Sequence, residues 1–241
     1  MTANERVSLA LSGSGEHNDG AGTDAGRDNR AELQQMLHDA VAGRPFSELS
    51  SVTFDHRGIA LAGEMLLAAL RERGFGLEDF DAVGALTAAA VPLVIAVMQA
   101  AARRAKAIDG FVMDFVYPSV KGPSIRDKRV ILLDSWLSEK SYVQTSSLVT
   151  LRNGNELNLD FSIVGHEQAQ VLAVVALIGG LGANDSTAED GSRTAETEDE
   201  GAFGTQNEAD DAESIEIVNT VNDSRYSVPF VQVFEERDLR E

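Results

Sequence analysis

The residues best suited to chemistry gather behind three apolar runs. After Gly84-Ala85-Leu86 come Thr87 and the alanines Ala88, Ala89 and Ala90; after Val130-Ile-Leu-Leu133 come Asp134 and Ser135, then Ser138, Lys140 and Ser141; the run 110–116 ends shortly before Lys121. A turn of small and hydroxyl residues where a helix begins offers converging N–H groups to an anion, above all a phosphate. Lys121 is the one cation near its run. Other chemistries are poorly supplied. There is no cysteine, which removes disulfides, thiolate nucleophiles and Cys-type zinc sites together. His17, His38, His56 and His166 fall at no metal-ligand spacing, and no metal site is expected.

These residues need a scaffold, and the composition supports one. The chain has 241 residues, of which 43% are apolar, enough for one sizeable core. No apolar run reaches the roughly 18–20 residues of a spanning helix. The opening MTANERVSLALSGSG has no basic start before a long apolar stretch, so no secretory signal is expected. A cytoplasmic location with no membrane partner follows as the default. The formal net charge is -19, which argues against a nucleic-acid partner, since phosphate contacts need a basic face.

The acidity is uneven. Residues 181–214 hold eleven acids and one base, Arg193, among Gly, Ser, Thr, Ala and Asn, with Phe203 the lone aromatic. Such a stretch buries too little apolar surface to offset its ordering entropy, and it reads as a disordered acidic insert. Residues 1–30, rich in Gly, Asn and Asp, read as a disordered N-terminal segment, leaving 31–241 as the folded domain.

Within that domain, apolar periodicity predicts helices over 31–42, 59–73 and 92–106, the last with Pro92 in its first turn. Strands are expected at 51–55, 81–86, 110–116, 129–134, 148–151, 157–163 and 171–178. Asn153-Gly154 makes a hairpin of the fifth and sixth. A last strand at 226–234 contains Pro229 and reads as an edge. Strands alternating with helices imply an α/β fold with a mostly parallel central sheet flanked by helices. Ligands in such folds sit at the carboxyl ends of the strands.

At those ends the sequence resembles the orotate phosphoribosyltransferases, members of the type I phosphoribosyltransferase family, over about 45–241 without the acidic insert. Asp81-Ala-Val-Gly-Ala-Leu-Thr87 with Ala88 to Pro92 is similar to the family's D-x-V-G-G-L-T-L-G-A-D-P. Ile108-Asp-Gly-Phe-Val112 resembles I-D-A-F-V. Lys128 to Asp134 resembles the strand leading into the phosphoribosyl-diphosphate motif. Tyr226 to Leu239 resembles the closing Y-x-x-L-x-x-L-x-D-L. Thr53-Phe-Asp-His-Arg57 resembles the Y-x-D-x-R of a small N-terminal hood, here about 31–58.

The resemblance implies a reaction in which a base nitrogen displaces diphosphate from a phosphoribosyl donor, with Mg²⁺ if the chain is active and no cofactor otherwise. It places Asp134, Ser135, Ser138, Lys140 and Ser141 around the donor, Thr87, Ala88 and Ala89 at the diphosphate turn, and Asp55 and Arg57 in the hood. The match is degraded. One acid, Asp134, stands where the family has two, followed by Ser135. The phosphate loop holds Trp136, Leu137 and Glu139 and no glycine. Asp114-Phe115 occupies the place of an Arg-Lys pair. The mobile basic loop has shrunk to almost nothing before Val120-Lys121-Gly-Pro123, so Lys121 is the weak remaining catalytic candidate. Ala89 and Val91 replace the Gly and Asp of the diphosphate turn.

The expectation is a catalytically impaired homologue that binds a nucleotide-like or phosphate ligand, or pairs with an active homologue as a heterodimer. A homodimer is the other assembly the family suggests. An active phosphoribosyltransferase with an altered site is the alternative, and an interaction module using the acidic insert the second alternative.

Overall fold

The computed structural model describes residues 19–42, 49–114, 119–138, 149–152, 156–160, 162–180, 214–219 and 224–239. Residues 181–213 of the acidic insert, Lys140, Ser141 and the first eighteen residues lie outside them. Among the described residues nine strands form one sheet in the order β3-β2-β1-β4-β7-β9-β8-β6-β5. They are β1 (Ala82–Ala85), β2 (Asp109–Asp114), β3 (Ser119–Lys121), β4 (Arg129–Ser138), β5 (Val149–Arg152), β6 (Glu156–Asp160), β7 (Gln170–Gly180), β8 (Ser214–Asn219) and β9 (Ser224–Glu235). Helices α1 (Asp19–Val41), α2 (Ser50–Thr53), α3 (His56–Glu72), α4 (Val91–Arg103) and α5 (Ser162–His166) complete the fold.

The centre of the sheet is parallel: β1 runs with β2 and β4, β4 with β7, and β7 with β9. The inner strands are apolar on both faces, as the sequence predicts. On β4, Ile131 and Leu133 join a cluster with Leu66, Leu70, Leu93 and Val97 of α3 and α4. Val130 and Leu132 point the other way, into a cluster with Phe111, Ile125, Phe230 and Val164 of α5. Gly84 of β1 has no room for a side chain, since a Cβ there would lie 2.2 Å from the Phe111 ring.

Helix α3 starts where Asp55 caps it, its carboxylate accepting from the N–H groups of Arg57 and Gly58 at 2.9 and 2.8 Å. It ends before Gly74, whose φ of +86° is a backbone state that only glycine adopts without strain. Helix α4 carries Pro92 in its first turn as expected.

Four expectations are corrected. Residues 51–55 are helical rather than a strand: Val52 is buried beneath α3, and this tertiary contact overrides the β-branched character of the segment. Helix α1 begins at Asp19, inside the stretch 1–30 expected to lack structure, and is tied down where Arg30 donates to the Val233 carbonyl at 2.6 Å and lies 4.7 Å above the Phe234 ring. Residues 162 and 163, expected to end the strand 157–163, belong instead to α5. Finally, β9 lies inside the sheet, not at an edge. Its residues 224–229 pair antiparallel with β8, and 230–235 pair parallel with β7. Pro229 sits at the changeover, so its missing N–H falls where one ladder stops and the other starts.

The two strands expected to flank Asn153-Gly154 are present as the antiparallel pair β5 and β6, with Arg152 opposite Glu156, and Asn153 and Gly154 lie outside the described residues. The sequence reading missed β3 and β8. The second carries an alternation, Ile215-Glu-Ile217, hidden by the acidic stretch before it.

Candidate functional site at the carboxyl ends of β1 and β4

The decisive departure from expectation is in β4. The sequence led to a strand ending at Asp134 and a phosphate loop after it. Instead β4 continues to Ser138, with Trp136 opposite Ile178, Leu137 opposite Gly179 and Ser138 opposite Gly180 on β7. Strand β7 is eleven residues long and pairs with Trp136, Leu137 and Ser138 of this extension. Ser138 is therefore a ladder residue and Ser135 lies inside the same strand, not in a tight loop at a helix N-terminus.

Asp134 and Ser135 are buried, with relative exposures of 4% and 7%. Asp134 Oδ1 accepts from Thr87 Oγ1 at 3.0 Å and from the Ser135 N–H at 2.7 Å, and the carboxyl also receives the Trp136 backbone N–H. Burial pushes this carboxyl up to about 6, against the pull of those donors, with no cation contributing.

Thr87 is extended, at φ -129° and ψ 163°. Ala88–Ala90 then form a single 3₁₀ turn leading into α4, closed by the Ala90 N–H on the Thr87 carbonyl at 3.1 Å. A glycine-free turn thus passes without left-handed backbone: the non-glycine residues at positive φ are Ala105, Asp127 and Gln168 among those described. Ala88 and Ala89 are exposed.

Thr87, Asp134 and Ser135 are thereby brought together. Ala88 and Ala89 follow directly in the turn, Lys140 and Ser141 lie outside the described residues, and Lys121, Asp55 and Arg57 are elsewhere. Lys121 is on β3, beyond β2, with Nζ 3.6 Å from Asp114 Oδ2. Its partner Asp114 stands where the resemblance implies a basic pair. Asp55 caps α3. Arg57 reaches back to α1, donating from Nε to Glu32 Oε1 at 2.9 Å and from Nη2 to Asn29 Oδ1 at 3.0 Å. The guanidinium holds the Glu32 carboxyl below its usual range. Trp136 is half-buried against the helix-side core, and its indole N–H donates to Glu236 Oε2 at 3.2 Å. Sequence reasoning missed Glu236, a hundred residues away, with no local signal.

The described donors at this site do not fit a divalent cation. Among the described residues no group of three or more His, Asp or Glu could hold a metal. The lone acid Asp134 is buried, and one of its oxygens already accepts two donors. No described helix is long and apolar enough to cross a membrane.

No family model matches the chain. It is 33% identical over 95 residues to the orotate phosphoribosyltransferase of Streptomyces avermitilis, covering 37% of this chain and 50% of that protein. It is 30% identical over 125 residues to that of Streptomyces coelicolor, covering 44% of this chain and 66% of the relative. The match thus spans half to about two thirds of these relatives' length. The crystal structure of Mycobacterium tuberculosis orotate phosphoribosyltransferase with inorganic phosphate covers 88% of this chain and 98% of its own, at 17% identity and a TM-score of 0.51. The chain is orotate phosphoribosyltransferase-like. Its fold is that of the type I phosphoribosyltransferases, shared also with a phosphoribosyltransferase from Corynebacterium diphtheriae at 16% identity and a TM-score of 0.51. In this orotate phosphoribosyltransferase-like chain Thr87, Asp134 and Ser135 stand at the carboxyl ends of the central parallel strands.

Proposed function

We propose that the chain is a catalytically impaired orotate phosphoribosyltransferase homologue, which acts by binding a nucleotide-like or phosphate ligand or by pairing with an active homologue. The observation that carries this reading is the course of β4 through Ser138, which turns the stretch after Asp134 into sheet and encloses its carboxyl.

The chemistry explains why that matters. Departure of diphosphate needs positive charge and aimed N–H groups where negative charge develops, and loss of one such donor costs roughly 10²–10³ in rate. Here Lys121 is paired with Asp114, and Asp134 is turned inward onto Thr87. What the site keeps is the exposed Ala88-Ala89 turn at the entry to α4, which suits an anion better than it suits catalysis.

The test is calorimetric titration with phosphoribosyl diphosphate and Mg²⁺, followed by a turnover assay with orotate. Micromolar binding of the donor with no turnover is the expected result. If no donor binds, the pairing arm requires a discrete complex with an active orotate phosphoribosyltransferase by light scattering. Measurable turnover by the chain alone overturns the proposal, as does the absence of both donor binding and complex.

A further inference from the structure

That proposal uses Asp134 only as an enclosed group, and its setting is more specific. Its three neighbouring donors, the Thr87 hydroxyl and the N–H groups of Ser135 and Trp136, are all neutral. Its register partner on β7 is Ala176, also buried. Among the described residues, the charged groups at this end of the sheet engage others: Glu236 accepts the Trp136 indole N–H, Asp114 pairs with Lys121 and Glu235 with Arg237. An ionised carboxylate enclosed this way loses hydration without gaining a counter-charge.

We propose that Asp134 and Thr87 form a proton-controlled latch between the end of β4 and the turn that follows β1. The two backbone N–H groups can only donate, whereas the Thr87 hydroxyl can do either. Protonated, the carboxyl donates to Thr87 Oγ1. Ionised, with its proton released to water, it accepts from Thr87, so the hydroxyl reverses. Thr87 also closes the 3₁₀ turn through its carbonyl, so the hydroxyl that reverses belongs to the residue at the head of the exposed Ala88-Ala89 turn. Burial, which holds the carboxyl up to about 6, places this reversal within reach of ordinary conditions.

Trp136 is the chain's single tryptophan, so its emission reports on the latch. Glu236→Gln removes the carboxylate that accepts that indole N–H, while Asp134 accepts the Trp136 backbone N–H. In this background the full chain is titrated by fluorescence and by the ¹³C signal of the Asp134 carboxyl. The expected midpoint lies near pH 6, a proton affinity on the order of 100-fold above an ordinary aspartate. Asp134→Asn abolishes the fluorescence transition. Thr87→Val moves the carbon midpoint upward, because the ionised form loses a donor, and it decides the matter if Asp134→Asn does not fold. A carbon midpoint below about pH 4.5, a fluorescence transition that survives Asp134→Asn, or a midpoint unmoved by Thr87→Val overturns the latch.

Discussion

Asp81 and Asp134 stand at opposite ends of the same sheet and titrate in opposite directions. Asp81 precedes β1, is 43% exposed, and accepts from the Arg129 backbone N–H at 2.9 Å and from its guanidinium at 3.2 and 3.3 Å. Those donors hold its carboxyl below the usual range. Asp134 is enclosed, lacks a cation, and is held up at about 6. The amino ends of the strands keep their charges in water and in pairs, as Lys128 does with Asp109 at 2.6 Å. At the carboxyl ends, where this fold class binds ligands, Asp134 is instead enclosed where β4 runs on as sheet.

The comparison sharpens into measurements, the largest effect first. Asp134→Asn should stabilise the chain at neutral pH by about 3 kcal/mol, from the distance between about 6 folded and the ordinary 3.8. The folded carboxyl binds its proton more tightly than the unfolded one. Its stabilising contribution is therefore complete below about pH 4 and is lost as pH rises through about 6. Urea denaturation of both proteins should show the variant's advantage growing by about 2 kcal/mol from about pH 4.5 to about pH 7.5. An advantage independent of pH breaks the contrast.

Thr87→Val should cost about 1.5–3 kcal/mol above pH 6, where it deprives a buried carboxylate of a donor. Below about pH 5 the loss should be smaller. The same denaturation series reads both. Asp55→Ala should cost about 1 kcal/mol through loss of the α3 cap, seen as a lower denaturation midpoint.

Asp81→Asn belongs to the opposite arm and should cost under about 1 kcal/mol, since exposed pairs are screened by solvent. Its carboxyl is lowered on folding, so that contribution is present above the ordinary carboxylate range and fades as pH falls. Added salt should shrink it. A loss as large as the Thr87→Val effect would erase the distinction between the two ends.

Much of this scaffold was legible in sequence. The runs 129–134 and 171–178 could only be buried strands, and 59–73 and 92–106 carried both helical periodicity and end signals. What escaped notice depended on distant partners. Nothing in Asp134-Ser-Trp-Leu-Ser138 announces a strand until Gly179 and Gly180 are known to lie alongside. Val52 and Thr53 favour a strand locally but are buried under a helix. Pro229 signals an edge, yet a strand that exchanges partners at that residue satisfies the same constraint from inside the sheet. In the site, the type of each residue was readable, whereas the inward turn of Asp134 was not, because burial is a property of the whole fold.

The exchange of partners along β9 has a mechanical corollary. Sliding one ladder by a single residue would carry the other with it, swinging Val228 and Phe230 out of one cluster while Val231 and Val233 left the other. The two halves of the sheet are thus keyed to one another by a shared rail, and misalignment on either side is penalised twice.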